Sequence, residues 1–171
     1  MTADLWHHLA AVSSKQLAVA DIMDTWTRQM GYPLLTVEKV SATRYRVTQE
    51  RYLTDRTASA GADSPYGYRW EVPVTWVSSG SPEPVLQWLG RSDAMLEVNL
   101  PTGTTWVKFN VGQHGFYRVN YPPEDWAGLA RLLVSAPASL PAPDRASLLN
   151  DAFSLAESGH LDYSVPLDMT R

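Results

Sequence analysis

Between Gly67 and Trp76 the apolar residues fall on every second position: Tyr68, Trp70, Val72, Val74 and Trp76 alternate with Arg69, Glu71, Pro73 and Thr75. Side chains two apart on an extended backbone share a face, so this stretch predicts a strand with one buried and one wet side, as in an antiparallel sheet. Pro73 has no N–H to offer a ladder and predicts an edge position or a bulge. The same period recurs at residues 34–40, 44–49, 85–89, 95–100, 106–111 and 115–121. About seven short strands separated by turn signals predict a sandwich, not a parallel α/β sheet. Residues 111–115 read as a hairpin between the last two strands, with Gly112 and Gly115 there for positive φ. Residues 57–65 are small and polar, hence a surface loop.

On both sides of this block the period changes to that of a helix. Thr2 can cap a short helix with Leu5, Leu9 and Val12 on one stripe, interrupted at Ser13-Ser14. Val19, Ile22, Met23, Trp26 and Met30 follow at spacings of three and four, with Gly31 as the left-handed residue after the helix and Pro33 barring its continuation. After Pro122-Pro123, Glu124 and Asp125 put negative charge at a helix start, and Trp126, Leu129, Leu132 and Leu133 form its stripe. Residues 136–143 are a Pro-rich breaker. Asp144 reads as the cap of a further helix with Leu148, Ala152 and Leu155 on one face, ending before Gly159.

The fold class that follows is mainly β with flanking α: a seven- to eight-stranded antiparallel β-sandwich with helices at both ends. Its 171 residues fit one domain, or one plus a fragment, at roughly 100–200 residues each. A net charge of −4 lacks the clustered Lys and Arg of a nucleic-acid footprint. No apolar run approaches the ~20 residues of a membrane span, and no basic segment leads into an apolar one as in a secretory signal. The expectation is a soluble chain with no nucleic-acid partner and no direct membrane contact. With no Cys there is no disulfide, thiolate metal site or nucleophilic thiol.

A search for convergent chemistry returns little. His7 and His8 are adjacent, so they point to different sides of a helix and cannot form a zinc pair. His114 and His160 fall at turn signals, as structural polar residues do. Asp144 and Asp151 are seven apart on one helix face, and Asp21 and Asp24 sit where a helix dipole favours acids. Acid–base work by either pair would also need a shared cleft. Trp70 and Trp76 resemble a sugar-binding platform in composition, but their alternation places them in a core. There is no nucleophile elbow, Walker loop or dinucleotide fingerprint.

Four segments, in order, nevertheless resemble one family. Residues 21–33, ending Trp26-Thr27-Arg28-Gln29-Met30-Gly31-Tyr32-Pro33, are similar to the helix that closes the catalytic domain of the gluzincin zinc aminopeptidases. Tyr68-Arg69-Trp70-Glu71-Val72-Pro73-Val74-Thr75 resembles a strand of the β-sandwich that follows that domain. Residues 108–121, through Phe116-Tyr117-Arg118-Val119-Asn120-Tyr121, resemble its last hairpin, and residues 144–156 the first helices of the C-terminal helical domain. The resemblance implies three parts: residues 1–33 from the end of the catalytic domain, 34–121 the linking sandwich, and 122–171 the start of the helical domain.

The family's His-Glu-x-x-His zinc motif, distal Glu ligand, Gly-x-Met-Glu-Asn loop and transition-state Tyr have no counterpart here, and the resemblance places them upstream. It therefore implies no catalytic, cofactor-binding or metal residue at any position of this sequence, with zinc held by the intact enzyme alone. That enzyme would remove N-terminal residues from peptides, acidic ones included, at the extracellular face of the plasma membrane. This chain would be a non-catalytic spacer whose partners are the catalytic and C-terminal domains. Exposed stripes on the terminal helices (Leu5, Leu9, Trp126, Leu129, Leu132) would fold back on the sandwich or cause self-association. The alternative of another class is a free-standing β-sandwich binding module. A self-sufficient hydrolase rests only on scattered Asp and His.

Overall fold

The computed structural model describes residues 2–13, 17–58 and 63–170. Its elements run α1 (Thr2–Val12), α2 (Val19–Thr27), β1 (Pro33–Lys39), β2 (Arg44–Arg51), β3 (Val72–Ser78), β4 (Ser81–Leu89), β5 (Leu96–Asn99), β6 (Val107–Phe109), β7 (Arg118–Asn120), α3 (Pro123–Ser135), α4 (Ala142–Glu157) and α5 (Ser164–Asp168). The seven strands make two sheets, in the orders β5-β2-β1-β7 and β4-β3-β6. Their inward faces share one core, in which Leu35, Val47, Trp70, Val72, Val74 and Phe109 are fully buried. The alternation from Trp70 to Trp76 is the inner face it predicts; Tyr68 precedes the strand in a left-handed conformation, φ 56°.

Two expectations about pairing are corrected. Residues 111–115 do not close a hairpin. β6 belongs to the second sheet and β7 to the first, so the segment crosses the sandwich through a 3-10 turn at Val111–Gln113. β7 lies parallel to β1, with Leu35 opposite Val119, so one pairing of an otherwise antiparallel architecture runs the other way. A chain arriving from the opposite sheet is free of the hairpin's geometric demand for antiparallel return.

The crossing segment is held by side chains. Asn110 adopts a left-handed backbone, φ 58°. Its amide nitrogen donates to the Gly115 and Tyr117 carbonyls (2.9 and 3.1 Å), and its carbonyl oxygen accepts the Gly115 N–H (2.9 Å). Gly112 has the positive φ expected of it, 64°, but Gly115 does not. Gly115 is needed for space, since a Cβ there would lie 2.1 Å from the Tyr117 ring. Gly115→Ala is expected to destabilise the chain by about 1–3 kcal/mol through overpacking. Urea denaturation checks it, and a change under about 0.5 kcal/mol would show that the ring yields freely.

Pro73 sits in the middle strand of its sheet, yet β6 flanks β3 only at Trp76–Ser78. Beside Pro73 the Tyr117 hydroxyl stands where a strand would be, donating to the Pro73 carbonyl (3.2 Å) and accepting the Thr75 N–H (3.3 Å). The missing proline donor therefore breaks no ladder bond, which satisfies the edge expectation locally. Gln49 does similar work between the sheets, accepting the Trp70 N–H (2.8 Å) and donating to its carbonyl (2.9 Å).

The helices differ from their expected stripes at the N-terminal end. α1 turns Trp6 inward, 8% exposed, and leaves Leu5, Leu9 and Val12 at 52, 43 and 80%. The cap expected from Thr2 lies outside the described side chains; of the break expected at Ser13-Ser14, Ser13 stands just past the end of α1 and Ser14 lies outside the described residues. α2 ends at Thr27, well before Met30, which is exposed; Gly31 keeps its positive φ, but as part of the turn into β1. α3 folds back on the sandwich and buries Trp126 and Leu129, with Leu132 half-buried. No helix among the described residues is long and apolar enough to cross a membrane.

Candidate functional site: a buried polar seam

Where α4 lies across the ends of β6 and β7, the sequence offers charged residues and the fold buries them. In β6, Val107 and Phe109 face the core, so Lys108 faces the other way, toward α4. Its Nζ donates to Asp144 Oδ1 at 2.9 Å and to the Asn110 carbonyl at 2.7 Å, with both charged side chains no more than 2% exposed. Burial pushes the Lys108 ammonium below the ordinary lysine value, although Asp144 works against this. Asp144 also accepts the Gly112 N–H (2.7 Å).

Asp144 was expected as a helix cap and is corrected here. The N-cap position of α4 is Pro141, without a side-chain bond, and Asp144 spends its oxygens across the seam. Pro143, the second residue of the helix, has no N–H, so one of the donors that a capping side chain would serve is absent.

Two turns along the same face, Asp151 accepts the Val119 N–H (3.1 Å) and the Arg118 Nη1 (2.9 Å). Arg118 also donates to Asn150 Oδ1 (2.6 Å) and from Nε to the Tyr32 hydroxyl (3.2 Å), and lies over the Tyr52 ring at 5.1 Å. Burial drives the Asp151 carboxyl up to about 6, against the Val119 N–H and Arg118. Burial works against the Arg118 charge, yet Tyr32 and Asp151 hold the guanidinium above its usual value. Asp144 and Asp151 thus do share a face, as their spacing implies, and what the fold brings to them is two cations. The arrangement clamps; it has no free nucleophile.

The other residues weighed for chemistry stay apart. His7 and His8 are exposed on α1, and His114 is exposed in the crossing segment. His160 follows α4, with Nδ1 2.9 Å from Ser158 Oγ and Nε2 3.8 Å from Glu50. Asp24 pairs with Arg28 on the surface of α2 at 3.3 Å. Zinc finds no fitting donor set: among the described residues no three His, Asp or Glu side chains stand together as ligands. What inspection of the sequence missed is Lys108. A lysine at an alternate strand position reads as solvent-facing, and nothing local signals the helix that covers it.

A family model described as the ERAP1-like C-terminal domain matches residues 106–171. Over 174 residues the chain is 40% identical to human glutamyl aminopeptidase, an alignment covering 99% of this chain and 17% of that protein. It is 36% identical over 174 residues to glutamyl aminopeptidase of Bitis rhinoceros, covering 99% of the chain and 18% of the relative. Against human aminopeptidase N it is 33% identical over 172 residues, covering 98% of the chain and 17% of the relative. The chain therefore spans less than a fifth of the length of these relatives.

Proposed function

We propose, from the premise that this chain is related along its whole length to the gluzincin aminopeptidases represented by glutamyl aminopeptidase and aminopeptidase N, that it is a non-catalytic spacer of such an enzyme. On this reading residues 1–33 end the catalytic domain, 34–121 form the linking sandwich, and 122–171 begin the C-terminal helical domain. The observation that carries it is the seam: one sealed and one partly buried ion pair fasten α4 to both sheets of the sandwich. A joint of that kind sets the angle between flanking domains, which matters in an enzyme whose domains must close around a peptide. The intact enzyme would hold zinc elsewhere, act at the extracellular face of the plasma membrane and release N-terminal residues, acidic ones among them.

The surfaces left open on this chain suit that role. Leu5, Leu9 and Val12 make an apolar stripe for the catalytic domain to cover, and in isolation the same stripe is a route to self-association. The groove between α3 and α5, about 780 Å³ and floored by Trp126, Ala130 and Leu161, is suited to the remainder of the helical domain. The test is direct: the purified chain is loaded with one equivalent of zinc, desalted, and assayed by mass spectrometry and with glutamyl and alanyl arylamides. Neither stoichiometric zinc nor turnover is expected, and either one would overturn the spacer reading.

A further inference from the structure

The border strands of the two sheets are not equally protected. β5 has four residues and β6 and β7 three each, and α4 covers β7 by offering Asp151 to the Val119 N–H. β4 is nine residues long and borders the three-stranded sheet. Its first half is blunted by Pro82, Glu83 and Pro84, where the register against β3 slips. Its second half is not: no residue between Glu83 and Arg91 is charged, and Val85 and Leu86 are 36 and 46% exposed. The direction of the backbone groups there follows from β3. Thr75 gives its N–H to the Tyr117 hydroxyl (3.3 Å) and its carbonyl accepts the Asn110 N–H (2.8 Å), both on the side away from β4. Backbone groups alternate sides along a strand, so Val74 and Trp76 face β4 and bond Gln87 and Val85 opposite them. Leu86 and Trp88 then aim N–H and C=O outward, and among the described residues no strand lies beyond them.

We propose that β4 is a docking edge for a second copy of this chain: two β4 strands pair antiparallel across a two-fold axis through Gln87, joining their sheets into one. In that register Leu86 of each copy exchanges N–H and C=O with Trp88 of the other, so every outward group of the segment is paired. Moving the axis to Leu86 sets Trp88 against Pro84, which has no N–H. Moving it to Trp88 sets Leu86 against Gly90, whose N–H is already held by Asp93 Oδ2 at 2.8 Å.

Charge selects the same occupant. About Gln87, Glu83 of one copy stands opposite Arg91 of the other, at both ends of the pairing. Arg91 is half-exposed and its contact with Glu71 is long, 3.8 Å, so it can reach across. A foreign extended segment would satisfy the same backbone groups, but only a second copy brings this matched pair of charges twice. The side chains of Leu86 and Trp88 face each other across the axis and lose water together. Residues 85–89 and two flanking charges are far fewer than the ~20–30 residues a side of a standard interface, so the pairing is weak and concentration-dependent. It uses neither the seam nor α1, and it stands whether or not the chain is a spacer.

The chain has no Cys, so a single introduced one reports the pairing. On the axis the two Gln87 Cα atoms stand about 4.5 Å apart, within reach of a disulfide, whereas the two Val85 Cα atoms are about 13 Å apart along the strands. In a glutathione redox buffer, Gln87→Cys in the full 171-residue chain should therefore crosslink about tenfold faster than Val85→Cys. Leu86→Pro removes an outward N–H and no bond to β3, and should bring the Gln87→Cys rate down to that of Val85→Cys. Leu9→Asp, on the exposed stripe of α1, should leave the Gln87→Cys rate unchanged. Added to Gln87→Cys, Glu83→Arg or Arg91→Glu should each slow crosslinking, and mixing the two variants should restore it, because opposite charges face each other again. Should Leu86→Pro lose the native circular dichroism, the charge reversals decide. Equal rates for Gln87→Cys and Val85→Cys, no recovery on mixing, or loss of crosslinking in Leu9→Asp overturns the proposal.

Discussion

Lys108→Met is expected to destabilise the chain by about 3–5 kcal/mol, since it strands the buried Asp144 carboxylate without its cation. The expectation follows from the geometry: a 2.9 Å pair between side chains no more than 2% exposed, with the ammonium also held by the Asn110 carbonyl at 2.7 Å. Taking both charges out together should cost much less. In the double variant Lys108→Met with Asp144→Asn, the new amide oxygen can still accept the Gly112 N–H that Asp144 binds at 2.7 Å. Most of the single-variant loss should then disappear, because an absent buried charge needs no partner. Urea denaturation followed by tryptophan fluorescence measures all three proteins. A single variant within about 1 kcal/mol of the starting chain would mean that water reaches Asp144 and the seam is not sealed.

The second large effect is expected at Trp126, where truncation to Ala should remove about 3–5 kcal/mol. Trp126 is fully buried beneath α3, meets the Tyr121 ring edge-on at 5.0 Å, and donates from Nε1 to Asn120 Oδ1 at 3.1 Å. Tyr121 in turn accepts the Phe109 N–H at 2.9 Å, so the indole is continuous with the core of the sandwich. Its loss should release α3 before the sheets unfold, visible as helix signal lost at lower denaturant than near-ultraviolet dichroism. Val134 lies on the same helix at 57% exposure, and Val134→Ala should change stability by no more than about 0.5 kcal/mol. Equal losses at the two positions would refute the account of α3 as docked through Trp126.

How far these features can be read in advance varies by element. The strand cores are legible because alternation is local: Trp70, Val72, Val74 and Trp76 face inward on spacing alone. The inward face of α4 is legible for the same reason, with Leu148, Ala152 and Leu155 all buried. α1 misleads because its stripe of Leu5, Leu9 and Val12 is the face it leaves open, while Trp6 finds cover against α2. A stripe states that cover is needed and does not state from where. The crossing of residues 110–117 also misleads, since glycines that suit a hairpin also suit a tight passage over Tyr117. For the seam, the seven-residue spacing of Asp144 and Asp151 is visible in the sequence, but the cations that meet them are not.

The sequence by itself determined the approximate places of strands and helices, the apolar face of residues 70–76, and the resemblance to the gluzincin aminopeptidases. These depend on period and on residues read in order along one backbone. The tertiary structure decided that β7 runs parallel to β1 and that Lys108 and Arg118 end inside a seam, opposite acids 36 and 33 positions away. Whether a charge is solvated or sealed depends on which distant segment settles over it, and the free energy of that sealing exists only once both segments have met.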